Sequence, residues 1–133
     1  MPDVIETRPG EDGVVASAFA LVEIDEVAPA RAGKGPSPFT AGEEAYAAAK
    51  SDPERRLAAR FAAKRAARAL LGPEAGLHEI EVVRGRYGPP RLRLTGEALT
   101  RLKALGAGEA LVSLTHERRH AAAVVVLLLQ EEG

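Results

Sequence analysis

Four cations, Arg56, Arg60, Lys64 and Arg68, recur at i, i+4, i+8 and i+12, and therefore share one stripe if their segment is helical. Like charges on one stripe repel, which an anion bound along it would offset. A solvated arginine face beside an alanine-rich core face explains the spacing as well, and both readings stand at this point. His116 and His120 are four apart with Glu117 between them, a metal-binding pattern on a helix. Their flanks read as strands, however, so the pair falls in a short connection where that geometry fails. Ser113, Thr115 and His116 end a strand without an orienting acid or an oxyanion hole nearby, so ordinary strand-edge hydrogen bonding is the plainer account. There is no Cys, which removes disulfides, thiolate nucleophiles and thiolate zinc sites together. Nor is there a phosphate-binding loop, a dinucleotide glycine fingerprint or a nucleophile elbow.

The elements that must position these residues read as follows. Residues 1 to 13 mix Pro2, Pro9, Gly10 and Gly13 with acids and have no apolar period, so a disordered tail is expected, with a single domain over 14–133. Val14 to Ile24 is nearly continuous and β-rich, as in a strand buried on both faces. Pro29, Gly33, Gly35, Pro36 and Pro38 then argue against a long helix and for a flexible connection. Thr40 offers an N-cap for a short helix to about Lys50. A longer helix follows, with Asp52 as cap, Pro53 in first position and Gly72-Pro73 as its stop. Leu57, Phe61, Ala62, Ala66, Ala69 and Leu70 form its apolar face. His78 to Val83 and Arg91 to Leu94 make a hairpin, Glu97 to Leu105 a helix, and Leu111 to Thr115 and Ala121 to Leu129 two final strands. Strands that return as hairpins after a central helix predict an antiparallel α+β architecture.

The chain has 133 residues, the size of one ordinary domain. Its 18 Lys and Arg against 19 Asp and Glu give a net charge of −1, which argues against coating nucleic acid through bulk positive charge. The longest apolar run, Ala121 to Leu129, is short of the roughly 20 residues of a membrane-spanning helix, so no membrane partner is expected. The start has neither a basic n-region nor an apolar h-region, so no secretory signal is expected either, and the absence of cysteine fits the cytoplasm.

The ordered stretches Arg60-Phe61-Ala62-Ala63-Lys64-Arg65-Ala66, Leu70-Leu71-Gly72, Gly88-Pro89-Pro90-Arg91-Leu92-Arg93-Leu94 and Val112-Ser113-Leu114-Thr115-His116-Glu117 resemble the holo-acyl-carrier-protein synthases of the 4'-phosphopantetheinyl transferase superfamily. Val22-Glu23-Ile24 resembles the end of that family's first strand, and Phe39-Thr40-Ala41-Gly42-Glu43 the start of its next helix. The likeness runs from about Phe19 to Leu128. It implies a 4'-phosphopantetheinyl transferase-like α+β fold, an antiparallel sheet packed on a long central helix, and a homotrimer with sites between subunits. It also implies transfer of phosphopantetheine from coenzyme A to a serine of acyl carrier protein, with a magnesium ion on the pyrophosphate.

Residue by residue, the resemblance carries Arg60, Lys64, Pro89, Ser113 and His116 onto positions that contact coenzyme A or shape its pocket. The two carboxylates that hold the family's magnesium fall on Ala20 and Arg65, and a lysine implicated in proton transfer falls on Ala69. Magnesium requires oxygen ligands, so this chain is expected to hold no metal there. Arg65 is expected to pair with the pyrophosphate in place of the ion, or else to be an ordinary exposed helix arginine. The basic helix that meets the acidic carrier is replaced by Asp25, Glu26 and a Pro/Gly-rich run. Three functional readings follow. One is a degenerate member that binds coenzyme A, phosphopantetheine or a carrier protein, with His116 and Glu117 as acid or base for another step on a thioester. The second is an active transferase whose metal is held by Glu23 or Glu117, and the third a purely structural or interaction protein.

Overall fold

The computed structural model describes residues 4–7, 13–84 and 88–130. Val4–Thr7 is strand β1 and pairs antiparallel with β2, Val14–Glu23, placing Ile5 opposite Phe19. This corrects the expected tail at those four positions: the open edge of β2 supplies backbone partners that composition does not reveal. The rest of that segment up to residue 12 lies outside the described residues.

A 3₁₀ turn at Ile24–Glu26 leads into a short helix α1, Val27–Ala32, where a flexible connection is expected. Pro29 is tolerated because it falls in the first turn, where a backbone N–H has no intrahelical acceptor to lose. Helix α2, Ala41–Ala48, starts on a capping box in which Thr40 accepts from the Glu43 amide and Glu43 accepts from the Thr40 amide. Helix α3 runs Pro53–Leu71, the bounds that its proline and glycine announce. Asp52 does not cap it with its side chain. Its carboxylate accepts from Arg56 Nε at 3.0 Å instead. After a second 3₁₀ turn come β3, Ile80–Val83, β4, Arg91–Leu94, α4, Gly96–Ala104, β5, Ala107–His116, and β6, His120–Leu129.

The strands form one antiparallel sheet in the order β1-β2-β6-β5-β4-β3. The last two strands are longer than their apolar runs suggest. Gly106, with φ of 78°, turns the chain directly out of α4 into β5, and an irregularity between Ala107 and Glu109 keeps the pairing in step afterwards.

Helix α3 packs along β2, β6 and β5, with α1, α2 and α4 against it. Its Ala58, Ala59, Ala62, Ala63, Ala66 and Ala67 are all buried against a sheet face that includes Ala18, Ala20, Val22, Ala121, Ala123 and Val125. Small side chains on both surfaces let helix and sheet approach closely, and Leu57, Leu71, Ile80 and Leu127 fill the perimeter. Each such large side chain contributes about 1.5–3 kcal/mol of burial free energy. Only one face of β2 is covered this way, which corrects the expectation of burial on both. Phe19, Leu111, Val126 and Leu128 on the other face are half-buried, and Leu21 and Val124 are 39% exposed. Among the described residues, no helix is long and apolar enough to cross a membrane.

Candidate functional site

The basic stripe of α3 is not a solvated face. Arg60 is 3% exposed and Lys64 not at all, whereas Arg68 reaches solvent. The stripe divides because α2 lies across its middle: Glu43 and Tyr46, three residues apart on α2, meet Lys64 and Arg60, four apart on α3.

Lys64 Nζ lies 2.6 Å from Glu43 Oε1 and donates to the carbonyls of Leu77, at 2.9 Å, and of Ile80. Glu43 Oε2 accepts from the Val82 amide at 2.9 Å. All three ammonium protons thus have acceptors inside the protein. The pair ties α2, α3 and β3 together.

Arg60 stands one turn earlier on the helix. Its guanidinium lies 4.0 Å from the centroid of the Tyr46 ring, and its Nη1 donates to the Arg56 carbonyl at 3.3 Å. Its Nε is buried without a hydrogen-bond partner. An unsatisfied buried donor costs about 1–3 kcal/mol, so this nitrogen marks a place where an acceptor would be stabilised. Burial pulls the Arg60 guanidinium below its ordinary value, and Tyr46 and Glu43 pull the other way.

A cavity of about 260 Å³ opens beside it, lined by Arg56, Ala59 and Arg60 of α3, Arg84 just after β3, and Leu114, Thr115 and His116 of β5. Ala59 leaves room above the helix. His116 pairs in register with Ala121 on the helix-covered face of the sheet and so points to the same side as the arginines. The Asp52 carboxylate holds Arg56 above its usual value, and that hydrogen bond in turn holds the Asp52 carboxyl below its own. Three guanidiniums beside an imidazole in a small cleft offer the charge and donor geometry that suit a phosphate or another compact anion.

The other expected site residues lie elsewhere. Arg65 is 3.7 Å from Glu26 Oε1 and 6.0 Å from the Phe61 ring centroid, and with Arg68, Ala69, Gly72, Pro73 and Leu77 it lines a second cavity of about 310 Å³. Ser113 is exposed on the open sheet face, opposite Val124, because an odd spacing from His116 puts the two on opposite sides of β5. Pro89 is exposed at the bend before β4. Glu117 is bound to its own hairpin, accepting from the Arg119 amide and His120 Nδ1, both at 2.9 Å. The Arg119 amide first, then His120, hold its carboxyl down at about 2. Of the residues expected to act together, the fold joins Arg60 and His116.

Tyr46 and Arg84 were not singled out from the sequence, although Tyr46 is one of only five aromatic residues, Phe19, Phe39, Phe61, Tyr46 and Tyr87. At the positions where the resemblance would require carboxylates, Ala20 is fully buried beneath α3 and Arg65 is a cation. Among the described residues, no group of three or more His, Asp or Glu has metal-binding geometry.

No family model matches the sequence. A curated holo-[acyl-carrier-protein] synthase of Moorella thermoacetica is 42% identical over 100 residues, spanning 71% of this chain and 78% of that protein. Among solved structures, the acyl carrier protein synthase of Mycobacterium tuberculosis superposes with a TM-score of 0.66 at 35% identity, over 89% of this chain and 100% of that one. A synthase from Chronobacterium ammoniagenes in complex with coenzyme A gives 0.67 at 28% identity, over 85% and 96%.

Proposed function

The chain belongs to the holo-acyl-carrier-protein synthase family, and from that premise we propose that it binds coenzyme A, phosphopantetheine or an acyl carrier protein without the ordinary magnesium-dependent transfer. The observation that carries this reading is the buried, unpartnered Nε of Arg60 in a cleft shared with Arg56, Arg84 and His116. A phosphate oxygen of the ligand would satisfy that nitrogen, and Arg56 and Arg84 would offset the remaining charge. His116 lines the same cleft and is the group there that can exchange a proton with a bound ligand. Glu117 is ionised at neutral pH and committed to its hairpin, so in this reading it orients the β5–β6 connection rather than donating a proton.

Magnesium does not fit the residues present. Ala20 brings no oxygen and Arg65 brings a positive charge at the two carboxylate positions, while Ala69 lacks the amine that the resemblance places in proton transfer. We assign Arg65, with Arg68 beside it, the electrostatic role of the missing ion on a diphosphate. Ser113 and Pro89 reach a ligand in this scheme only from a neighbouring copy, which is consistent with a homotrimer built on the open face of β2, β6 and β5. The working unit in this reading is residues 14–133 with strand β1 added at the edge of the sheet, acting in the cytoplasm.

The names of the relatives favour a second reading equally: an active transferase moving phosphopantetheine from coenzyme A to a serine of acyl carrier protein, with other metal ligands such as Glu23. Incubation with coenzyme A, magnesium and apo acyl carrier protein, followed by intact mass, separates the two. We expect no phosphopantetheine adduct together with saturable coenzyme A binding. An adduct formed at a catalytic rate would establish the second reading, and no binding at millimolar coenzyme A would remove both.

A further inference from the structure

Tyr46 stands where the cations of the cleft meet. Its ring centroid is 4.0 Å from Arg60 Cζ and 5.0 Å from Lys50 Nζ. Arg84 and Arg56 lie near enough to bear on the titration of its phenol. One side chain of α2 therefore stacks under a guanidinium of α3, beside a cleft that Arg56 and Arg84 also line. A half-buried tyrosine on a helix face can be mere packing, but packing does not explain why polar groups from separate elements converge on one phenol. Nor does it explain why a phenol stands under Arg60, when Arg56 beside it is already held by the Asp52 carboxylate. A carboxylate would order the arginines and also cancel their charge. A neutral phenol orders them and leaves the charge in place.

We propose that Tyr46 is the positioning residue of the cleft, its ring and oxygen holding Arg56, Arg60 and Arg84 as a preformed receptor for a phosphomonoester. This rests on the reading of the cleft as an anion site. It adds the element that makes the arginines a receptor rather than three mobile side chains, since each long side chain fixed beforehand spares the ligand an ordering cost of roughly 0.5–1.5 kcal/mol.

The electrostatics agree with the geometry. Burial pushes the Tyr46 phenol up, yet the hydrogen bond to Arg84 and the charges of Arg60, Arg84 and Lys50 outweigh it and hold the phenol below its ordinary value. The charged or titratable groups around it are Lys50 of α2, Arg56 and Arg60 of α3, Arg84 after β3 and His116 of β5 across the cavity, with Asp52 bound to Arg56 and Glu43 behind Arg60 bound to Lys64. A phosphate dianion bound among these arginines would oppose ionisation of the phenol and move its titration upward.

The test uses the full-length protein, Tyr46→Phe and Tyr46→Leu, with adenosine 3',5'-bisphosphate and inorganic phosphate as probes. We expect Tyr46→Phe, which keeps the ring under Arg60 and loses the oxygen, to weaken the bisphosphate by about tenfold. Tyr46→Leu should weaken it further, with thermal unfolding of the Phe variant close to that of the parent. The tyrosinate absorbance of the parent should show one early-titrating component that disappears in Tyr46→Phe and moves to higher pH when the bisphosphate is saturating. A merely structural tyrosine would not respond to the ligand. Unchanged affinity in Tyr46→Phe, or a titration indifferent to the bisphosphate, overturns the inference alone. A parent protein that binds neither probe removes the proposed function along with it.

Discussion

Lys64 and Glu43 face each other at 2.6 Å with neither side chain reaching solvent. The resemblance that places Lys64 among ligand-binding positions thus meets a lysine whose donors are already used inside the protein. Burial pulls its ammonium below the ordinary value while Glu43 pulls it back. Removing one partner strands the other charge in the interior, at a cost of about 3–5 kcal/mol. Lys64→Met should lower the unfolding free energy by that amount in urea titrations. Adding Glu43→Gln to it should recover a large part. A Lys64→Met protein as stable as the parent, with coenzyme A binding lost, would return Lys64 to the ligand.

Arg60 should behave in the opposite way. Arg60→Leu removes a buried nitrogen that has no partner and keeps an apolar stem, so stability should change little. Coenzyme A affinity should fall by at least about tenfold in calorimetric titrations, roughly 1.4 kcal/mol. Unaltered affinity would place the ligand outside this cleft.

The proposed role of Arg65 makes binding independent of metal. Coenzyme A affinity should agree within about twofold in excess magnesium and in chelator, and Arg65→Glu should weaken binding in both. A tenfold tightening by magnesium in the parent would favour the active-transferase reading.

Glu117 supplies a pH dependence whose sign is fixed. Its folded carboxyl is held at about 2 against an ordinary 4.5. The stability that this contributes is fully present above 4.5 and lost as pH falls from there toward 2. Melting temperatures of the parent and of Glu117→Gln should therefore differ at pH 6 and converge across that window. A constant gap through it would assign the effect to something other than this carboxyl.

The open sheet face gives a prediction about assembly. Val124→Glu places a charge among Phe19, Leu21 and Leu111 without touching the helix side. Sedimentation should show a larger species for the parent and the single chain for the variant, since one buried unpaired charge per subunit penalises association strongly. A parent that sediments as a single chain at every concentration would remove the trimer.

Local signals were legible in the sequence and distant ones were not. Thr40 with Glu43, Pro53, and Gly72 set the bounds of α2 and α3 because caps act within a few residues. At the start of α4 the Thr95 side chain caps nothing, and the cap comes from Glu79, whose carboxylate accepts from the Glu97 and Ala98 amides. No window along the chain joins residues 18 apart. The same limit hid the division of the basic stripe, because only the packing of α2 on α3 sets Glu43 on Lys64 and Tyr46 on Arg60. Ser113 and His116 are different: three residues along a strand already imply opposite faces, so their separation was present in the spacing itself.

The sheet order has a consequence for synthesis. β2 leaves the ribosome early but lies between β1 and β6, and its long partner is the last strand of the fold. At about 5–20 residues per second, roughly 5–20 s pass between the emergence of Glu23 and that of His120. During that interval α2 and α3 are out, so Tyr46, Arg56 and Arg60 can already gather, but the wall that carries His116 does not exist. The nascent chain meanwhile presents the hydrogen-bonding edge and apolar side chains of β2 to its neighbours, which makes crowding on the translating ribosome, rather than the finished protein, the stage most exposed to aggregation.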